Sequence, residues 1–278
     1  MTTQTSSEPR LNLPANPAWP RYIGASLAWH GAMAAGALAQ PQSWPLWLGG
    51  AALNHGLLCA ASMLPRSGLL GPNITRLPAA AVARHEICLT FDDGPDPATT
   101  PAVLALLAQA GARASFFCIG ERVVKHPELA RQIIAAGHSI ENHTCHHRHD
   151  FAFRAAGGLR REISAAQQQI AQTVGRAPVF FRAPAGMRNP FLQPVLAGLD
   201  LRLASWTRRG FDTIEKRPAR VLERLTTRLA AGDLLLLHDG HAAHDANSQP
   251  VLLTVLPALL TTLSEAGLQA VSLPMAFR

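Results

Sequence analysis

Only four cysteines, two lysines and a single tyrosine occur among the 278 residues, and no Asp or Glu lies between Glu8 and Glu86. Four scattered cysteines (Cys59, Cys88, Cys118, Cys145) exclude a disulfide-stapled secreted module. Cys59 and Cys88 sit inside apolar runs, where thiols are expected to stay buried and reduced, which points to a reducing compartment. Charged residues make up 15% against 48% hydrophobic, which excludes a disordered or collagen-like chain. The net charge of +7 comes from 23 arginines dispersed as singles and short doublets, and no basic block alternates with aromatics, so no nucleic-acid partner is expected. The length suits one large domain with an appendage, and no internal repeat is visible.

What fills the carboxylate-free stretch is apolar. Residues 1–20 are polar and Pro-rich and read as a disordered lead-in. Tyr22 to Ala39 and Leu46 to Leu64 are nearly uncharged runs close to the length that spans hydrocarbon, joined by a Pro-flanked turn carrying Trp44. The small-residue rows Ala28/Ala32/Gly36 and Ala52/Gly56/Ala60 are expected to let two helices approach closely. Residues 21–66 are therefore predicted as a transmembrane helical hairpin, although His30, Asn54 and His55 also fit a pair of buried soluble helices. Arg10 and Arg21 precede the hairpin, and Arg66, Arg76 and Arg84 follow it, so both ends are expected on the cytoplasmic side of a bacterial-type inner membrane. Residues 67–85 read as a linker.

From Glu86 onward short β-rich runs alternate with helical ones. Strands are predicted at Ile87 to Phe91, Ala114 to Cys118, Ser139 to Asn142, Val179 to Arg182, Arg202 to Trp206, Leu234 to Leu237 and Ala270 to Leu273. Thr100-Pro101 and His126-Pro127 start helices, and Gly111, Gly137 and Gly175 stop them. The alternation implies right-handed βαβ units and an α/β fold with a parallel sheet, closed as a barrel or doubly wound.

Polar residues cluster just after these strands, at the edge where parallel α/β folds collect catalytic groups: Asp92 and Asp93, His143, Arg182, Trp206 and His238. His143 and His147 stand at i and i+4, a spacing that on a helical turn sets two imidazoles on one face, as chelation of a borderline-soft cation requires. Asp92 and Asp93 are adjacent in Thr-Phe-Asp-Asp-Gly-Pro, and burying both without a cation would raise the pKa of one. A metal bound by Asp93, His143 and His147, with Asp92 free as a base, removes that conflict. His138, His146, His149 and Cys145 read as supporting neighbours, His241 and His244 as part of a mobile, polar active-site loop or another metal site, and Arg188, Arg208 and Arg209 as a solvated rim or a phosphate contact.

These motifs resemble the polysaccharide deacetylase family, the carbohydrate esterases that include nodulation-type chitooligosaccharide deacetylases. The resemblance covers about residues 86–274 and implies a distorted (β/α) barrel of about seven strands with a divalent metal at the strand C-termini. It implies Asp92 as general base, Asp93, His143 and His147 as metal ligands, and Arg182, in Arg182-Ala183-Pro184-Ala185-Gly186, as the group orienting Asp92. It further implies that the backbone N–H of Ala185 faces the oxyanion, that Leu236 and Trp206 line the substrate pocket, and that His238 is the general acid tuned by Asp212. Ala185 replaces the family's usual aromatic, removing a ring that would pack beside a sugar. Ala185-Gly186-Met187-Arg188 is also similar to a segment of deformylases acting on polyprenyl-phosphate-linked aminoarabinose. The expected activity is metal-dependent hydrolysis, with zinc, of an N-acyl amide (acetyl or formyl) on an amino sugar. A cytoplasmic site implies a lipid-linked envelope glycan precursor as substrate. The alternatives are a periplasmic peptidoglycan or exopolysaccharide deacetylase, an inactive sugar-binding module, and a non-haem iron oxygenase site, which would not need the second Asp or the Arg-Pro loop.

Overall fold

Continuous apolar runs make the central strands, because a strand covered on both faces by helices has no face left for polar residues. The computed structural model describes residues 11–278. Strand β1 (Glu86–Asp92) is buried at every position and lies between β2 (Ala114–Cys118) and β7 (Leu234–His238). Outward from β2 run β3 (Ser139–Asn142), β4 (Phe180–Phe181) and β5 (Arg202–Leu203), and beyond β7 lies β6 (Arg208–Arg209). A short β8 (Gln269–Ala270) pairs with the start of β1, and every pairing is parallel. The sheet thus has eight strands where seven were expected. The additional strand is the Arg208–Arg209 pair, and the last predicted strand shortens because Leu273–Ala276 turns into a helix.

Helices pack over the sheet through apolar stripes. In Ala156–Val174, Leu159, Ile163, Ala166 and Ile170 are buried at i, i+4, i+7 and i+11, and Gly175 ends the helix with φ 75°, a left-handed conformation that glycine adopts without strain. Phe91 stacks on Phe116 with ring centroids 5.0 Å apart inside the main core.

Two stretches assigned to lead-in and linker are built into the fold. Residues 1–10 lie outside the described residues, but residues 11–20 run along the barrel: Asn12 N–H donates to the Phe277 carbonyl at 2.7 Å, and the Asn16 amide donates to Leu201 O at 3.0 Å. Residues 67–85 are no free linker. Ile74 forms a parallel bridge to Ala204, just past β5, while Arg76 bridges Asp233, just before β7, so this segment fills the gap between the sheet's two ends. Arg76 also ion-pairs with the fully buried Asp233 at 3.0 Å.

The N-terminal hairpin exists as helices α1 (Arg21–Ala39) and α2 (Trp44–Met63). The transmembrane expectation for it is corrected: among the described residues no helix is long and apolar enough to cross a membrane. The physical reason lies in the polar groups that both helices carry. Asn54 is buried and donates to Ser26 Oγ at 2.8 Å, with the His30 imidazole beside it, so the seam between the helices holds a polar cluster. The small-residue row does not form it, since Ala52, Gly56 and Ala60 face outward. Close approach occurs instead where Gly36 meets the Trp47 ring and Gly50 meets Met33. Cys59, expected to be buried, is exposed, and all four cysteines are free.

Candidate active site

Register places the chemistry. Asp92 ends β1 directly beside His238, which ends β7, so two titratable groups meet at one strand edge. The loops that follow pack tightly: a Cβ on Gly94 would collide with the Asp239 carboxylate, and one on Gly240 would sit 2.5 Å from the Asp93 carbonyl oxygen. Glycine is needed at both positions for the loops to approach this closely.

Asp93 lies at φ 71°, and its Oδ1 is buried without a hydrogen-bond partner. That oxygen stands 3.4 Å from His143 Nε2 and 3.2 Å from His147 Nε2. His143 donates from Nδ1 to the Arg182 carbonyl at 2.8 Å, which fixes the tautomer and leaves Nε2 with a lone pair toward Asp93. The two histidines do not share a helical turn as their spacing suggested. Residues 143–150 form an irregular loop in which Thr144 (φ 66°) and His147 (φ 48°) are left-handed, and the imidazole centroids converge to 4.9 Å. Asn142 and Thr144 hold that loop, through Asn142 Oδ1 to Thr144 N–H and Thr144 Oγ1 to His147 N–H, both at 3.0 Å.

The electrostatics match a cation site. Burial works to raise the Asp93 pKa, but the proximity of His143, the hydrogen bond from His241 and the His147 imidazole outweigh it and hold the carboxyl far below its usual range. Burial and the proximity of His143 push His147 down to about 4, so it is neutral at physiological pH. An ionised carboxylate oxygen and two imidazole nitrogens, all within 4.8 Å of one another, make a three-donor set of the kind that holds a divalent metal. The orphaned Oδ1 is the observation that fits such an ion best, because a buried carboxylate oxygen without a partner is costly.

Asp92 has a different environment. The fully buried Arg182 donates from Nη1 to Asp92 Oδ1 at 2.6 Å and to Thr90 Oγ1 at 2.8 Å. Its other nitrogens reach the Ala204 carbonyl at 3.1 Å and the Ser205 carbonyl at 2.7 Å, and the guanidinium lies 4.0 Å over the Phe117 ring. A fork held at five points locks the one Asp92 oxygen it touches and leaves Oδ2, which is 3.9 Å from His143 Nε2, toward the cleft. Across the cleft, His238 Nδ1–H donates to Asp212 Oδ1 at 2.9 Å, and its own backbone N–H donates to Asp212 Oδ2 at 2.8 Å. Burial lowers the His238 pKa, but the charge and hydrogen bond of Asp212 outweigh it, so the net shift is upward.

These groups open into a cleft of about 300 Å³ whose walls include Asp92, Asp93, His143, His147, Ala185, Trp206, Leu236 and His238. Arg182 and Asp212 stand behind it, holding groups that line it. Ala185 is exposed at the rim with φ 54°. The neighbouring residues separate into those that reach the cleft and those turned from it. His241, assigned to a polar loop, accepts from Arg122 at 2.9 Å and therefore donates from Nδ1 to Asp93 Oδ2 at 3.4 Å. Asp239 is fully buried behind Gly94, accepts from Thr100 Oγ1 at 2.5 Å, and is pushed up to about 7 by burial. His149 and Arg209 line the cleft, whereas His146 pairs with Glu162 at 3.1 Å and Cys145 packs on Gln169, both off the chelating side. The offset of Cys145 from His143 already points it off the chelating face, whereas the positions of His241 and Asp239 are set by the loop after β7.

Comparison with known proteins agrees with this geometry. The family model described as polysaccharide deacetylase matches residues 79–204. A peptidoglycan-N-acetylglucosamine deacetylase of Bacillus cereus is 34% identical over 189 residues, covering 67% of this chain and 85% of that protein. A chitooligosaccharide deacetylase of Azorhizobium caulinodans is 35% identical, covering 58% of this chain and 78% of its own length. The solved structure of a family 4 carbohydrate esterase from Streptomyces lividans in complex with acetate superposes with a TM-score of 0.60 at 31% identity, covering 66% of this chain and 91% of that one. Sequence, parallel half-barrel and cleft point the same way, and the chain belongs to the polysaccharide deacetylase family.

Proposed function

We propose that the protein hydrolyses the N-acyl amide of an amino sugar, using one divalent metal, zinc, held by Asp93, His143 and His147. The observation that carries this reading is the buried, unpartnered Asp93 Oδ1 set between two imidazole nitrogens, with a second carboxylate beside it that Arg182 keeps out of the donor set. The bound metal would supply a Lewis acid that polarises the amide carbonyl and acidifies water. Asp92, fixed through Oδ1, accepts the proton of the attacking water on its free oxygen. In this reading the backbone N–H of Ala185 faces the developing oxyanion, and Leu236 and Trp206, which line the cleft, wall the acyl group. His238, whose protonated form Asp212 favours, delivers a proton to the departing nitrogen, without which C–N cleavage stalls.

The relatives named for peptidoglycan and chitooligosaccharide place N-acetylglucosamine glycans first among substrates to assay. Acetate release from chitotetraose should vanish on chelation and return with zinc. Undiminished turnover by protein shown to be metal-free would overturn the reading.

A second substrate reading, a lipid-linked glycan precursor met at a bacterial-type inner membrane from its cytoplasmic side, is favoured by the position of the hairpin. Pro65, just past α2, packs against Gly186 at the cleft rim, and the Arg188 N–H donates to the Ser62 carbonyl at 3.2 Å. Leu46, Leu48, Leu53 and Leu57 of α2 are all more than half exposed, which offers an apolar surface for lipid contact without a span. A polyprenyl-linked acylamino sugar turned over no better than its lipid-free counterpart would remove this reading.

A further inference from the structure

Three arginines stood as candidates for contact with an anion, and the structure separates them. Arg208 points away from the cleft, pairing with the buried Asp233 at 2.6 Å and capping the Thr227 and Arg228 carbonyls. Arg188 is buried against the hairpin and donates to Ser67 O. Arg209, the next residue of β6, faces the other way, as alternation along a strand requires, and lines the cleft. Its register partner on β7 is Leu236, the proposed wall of the acyl pocket. The guanidinium is held by rings alone: its carbon lies 5.5 Å over Trp206 and 4.8 Å over Phe211. Its Nε is buried without a hydrogen-bond partner, and among the described residues no carboxylate pairs with it. A planar cation clamped by aromatic faces keeps its edge free for a bidentate anion, and leaving that edge unpaired is unfavourable unless something occupies it.

We propose that Arg209 determines specificity by binding an anionic group on the substrate, a phosphate or a carboxylate carried by the sugar carbon next to the one bearing the acylamino group. This deepens the deacylase reading and rests on it. The position follows from geometry: Arg209 neighbours Leu236 in register and stacks on Trp206, so an acyl group seated between those two residues puts the adjacent ring substituents within the reach of the guanidinium. Phosphate on the anomeric carbon and a carboxylate-bearing ether on the third carbon both satisfy this.

The test uses the full-length, zinc-loaded protein. Calorimetry measures binding of N-acetylglucosamine, N-acetylglucosamine 1-phosphate and N-acetylmuramic acid, and acetate release from chitotetraose is measured in parallel. At least one anionic sugar should bind about tenfold or more tightly than the neutral one, and that preference should disappear in Arg209→Gln and survive in part in Arg209→Lys. Preference for the phosphate alone, or for the carboxylate alone, assigns the source. Equal binding of all three sugars, or a preference that Arg209→Gln leaves intact while its melting profile matches the parent, overturns the proposal. Failure of chitotetraose turnover with the anion preference intact would count against the deacylase reading and not against Arg209.

Discussion

A polar cluster in the N-terminal hairpin and one in the cleft both contain histidine, and they differ in how completely they are satisfied. In the hairpin, the Asn54 amide donates to Ser26 Oγ at 2.8 Å and His30 Nδ1–H donates to the Ser26 carbonyl at 2.8 Å, so these groups find partners within the cluster. In the cleft, Asp93 Oδ1 has no hydrogen-bond partner although two imidazole nitrogens stand within 3.4 Å of it. A closed network contributes to stability and has nothing left to offer a ligand. An open one is tolerable only if something else completes it. The same residue type is therefore structural in one place and a ligand candidate in the other, and the neighbours decide which.

The contrast is broken most severely at the histidines. His143→Ala or His147→Ala should abolish both metal binding and deacylation, because a three-donor set has none to spare. His30→Ala should leave both intact. Metal analysis with an acetate-release assay reads all three variants, and a His30 variant as dead as the other two would erase the distinction.

Next in size is the split between the adjacent carboxylates. Asp92→Asn should keep its metal and lose roughly 10²- to 10⁴-fold in kcat, whereas Asp93→Asn should lose the metal itself. Equal metal content in the two variants would refute the separate roles.

A smaller effect is expected at Asp212. Because Asp212 outweighs burial and raises His238 above its usual 6.5, the stabilising pair is complete below that value and is lost as pH rises through the folded pKa. The protonated acid thus persists to higher pH than in an ordinary imidazole, and kcat should fall on the alkaline side. Asp212→Asn should move that limb toward lower pH by about one unit or more. A limb that stays in place would assign the proton to another group.

The smallest effect belongs to the closed cluster: Asn54→Ala should cost about 1 kcal/mol of stability, read by denaturant unfolding, with turnover unchanged.

How much of this was legible depended on whether local sequence or distant contact set each feature. β2 and β3 appear at their predicted residues, and β1 and β7 differ only at their ends, because long buried runs can form little else. The two-residue β6 carried no signal: Arg208 and Arg209 are strand residues only because β7 lies beside them. The hairpin was legible as two helices and a turn, but not its inner face, since hydropathy ranked Ala52 and Gly56 above Asn54 for burial and hydrogen bonding reversed that order. In the site, every residue carried by a strand-end motif reached or supported the cleft. His241 and Asp239, on the loop after β7, reach Asp93 and Gly94, and Arg122 of the helix Gly120–Lys125 reaches His241, through contacts that span more than a hundred residues.

The central claim, that Asp93, His143 and His147 form one metal site, is tested most directly by anomalous scattering at the zinc edge from crystals of zinc-loaded protein. A single strong peak about 2.0–2.2 Å from Asp93 Oδ1 and from both Nε2 atoms is predicted. A peak placed instead at His146 and Glu162 or at His244, or no peak at the cleft in fully loaded protein, would contradict it.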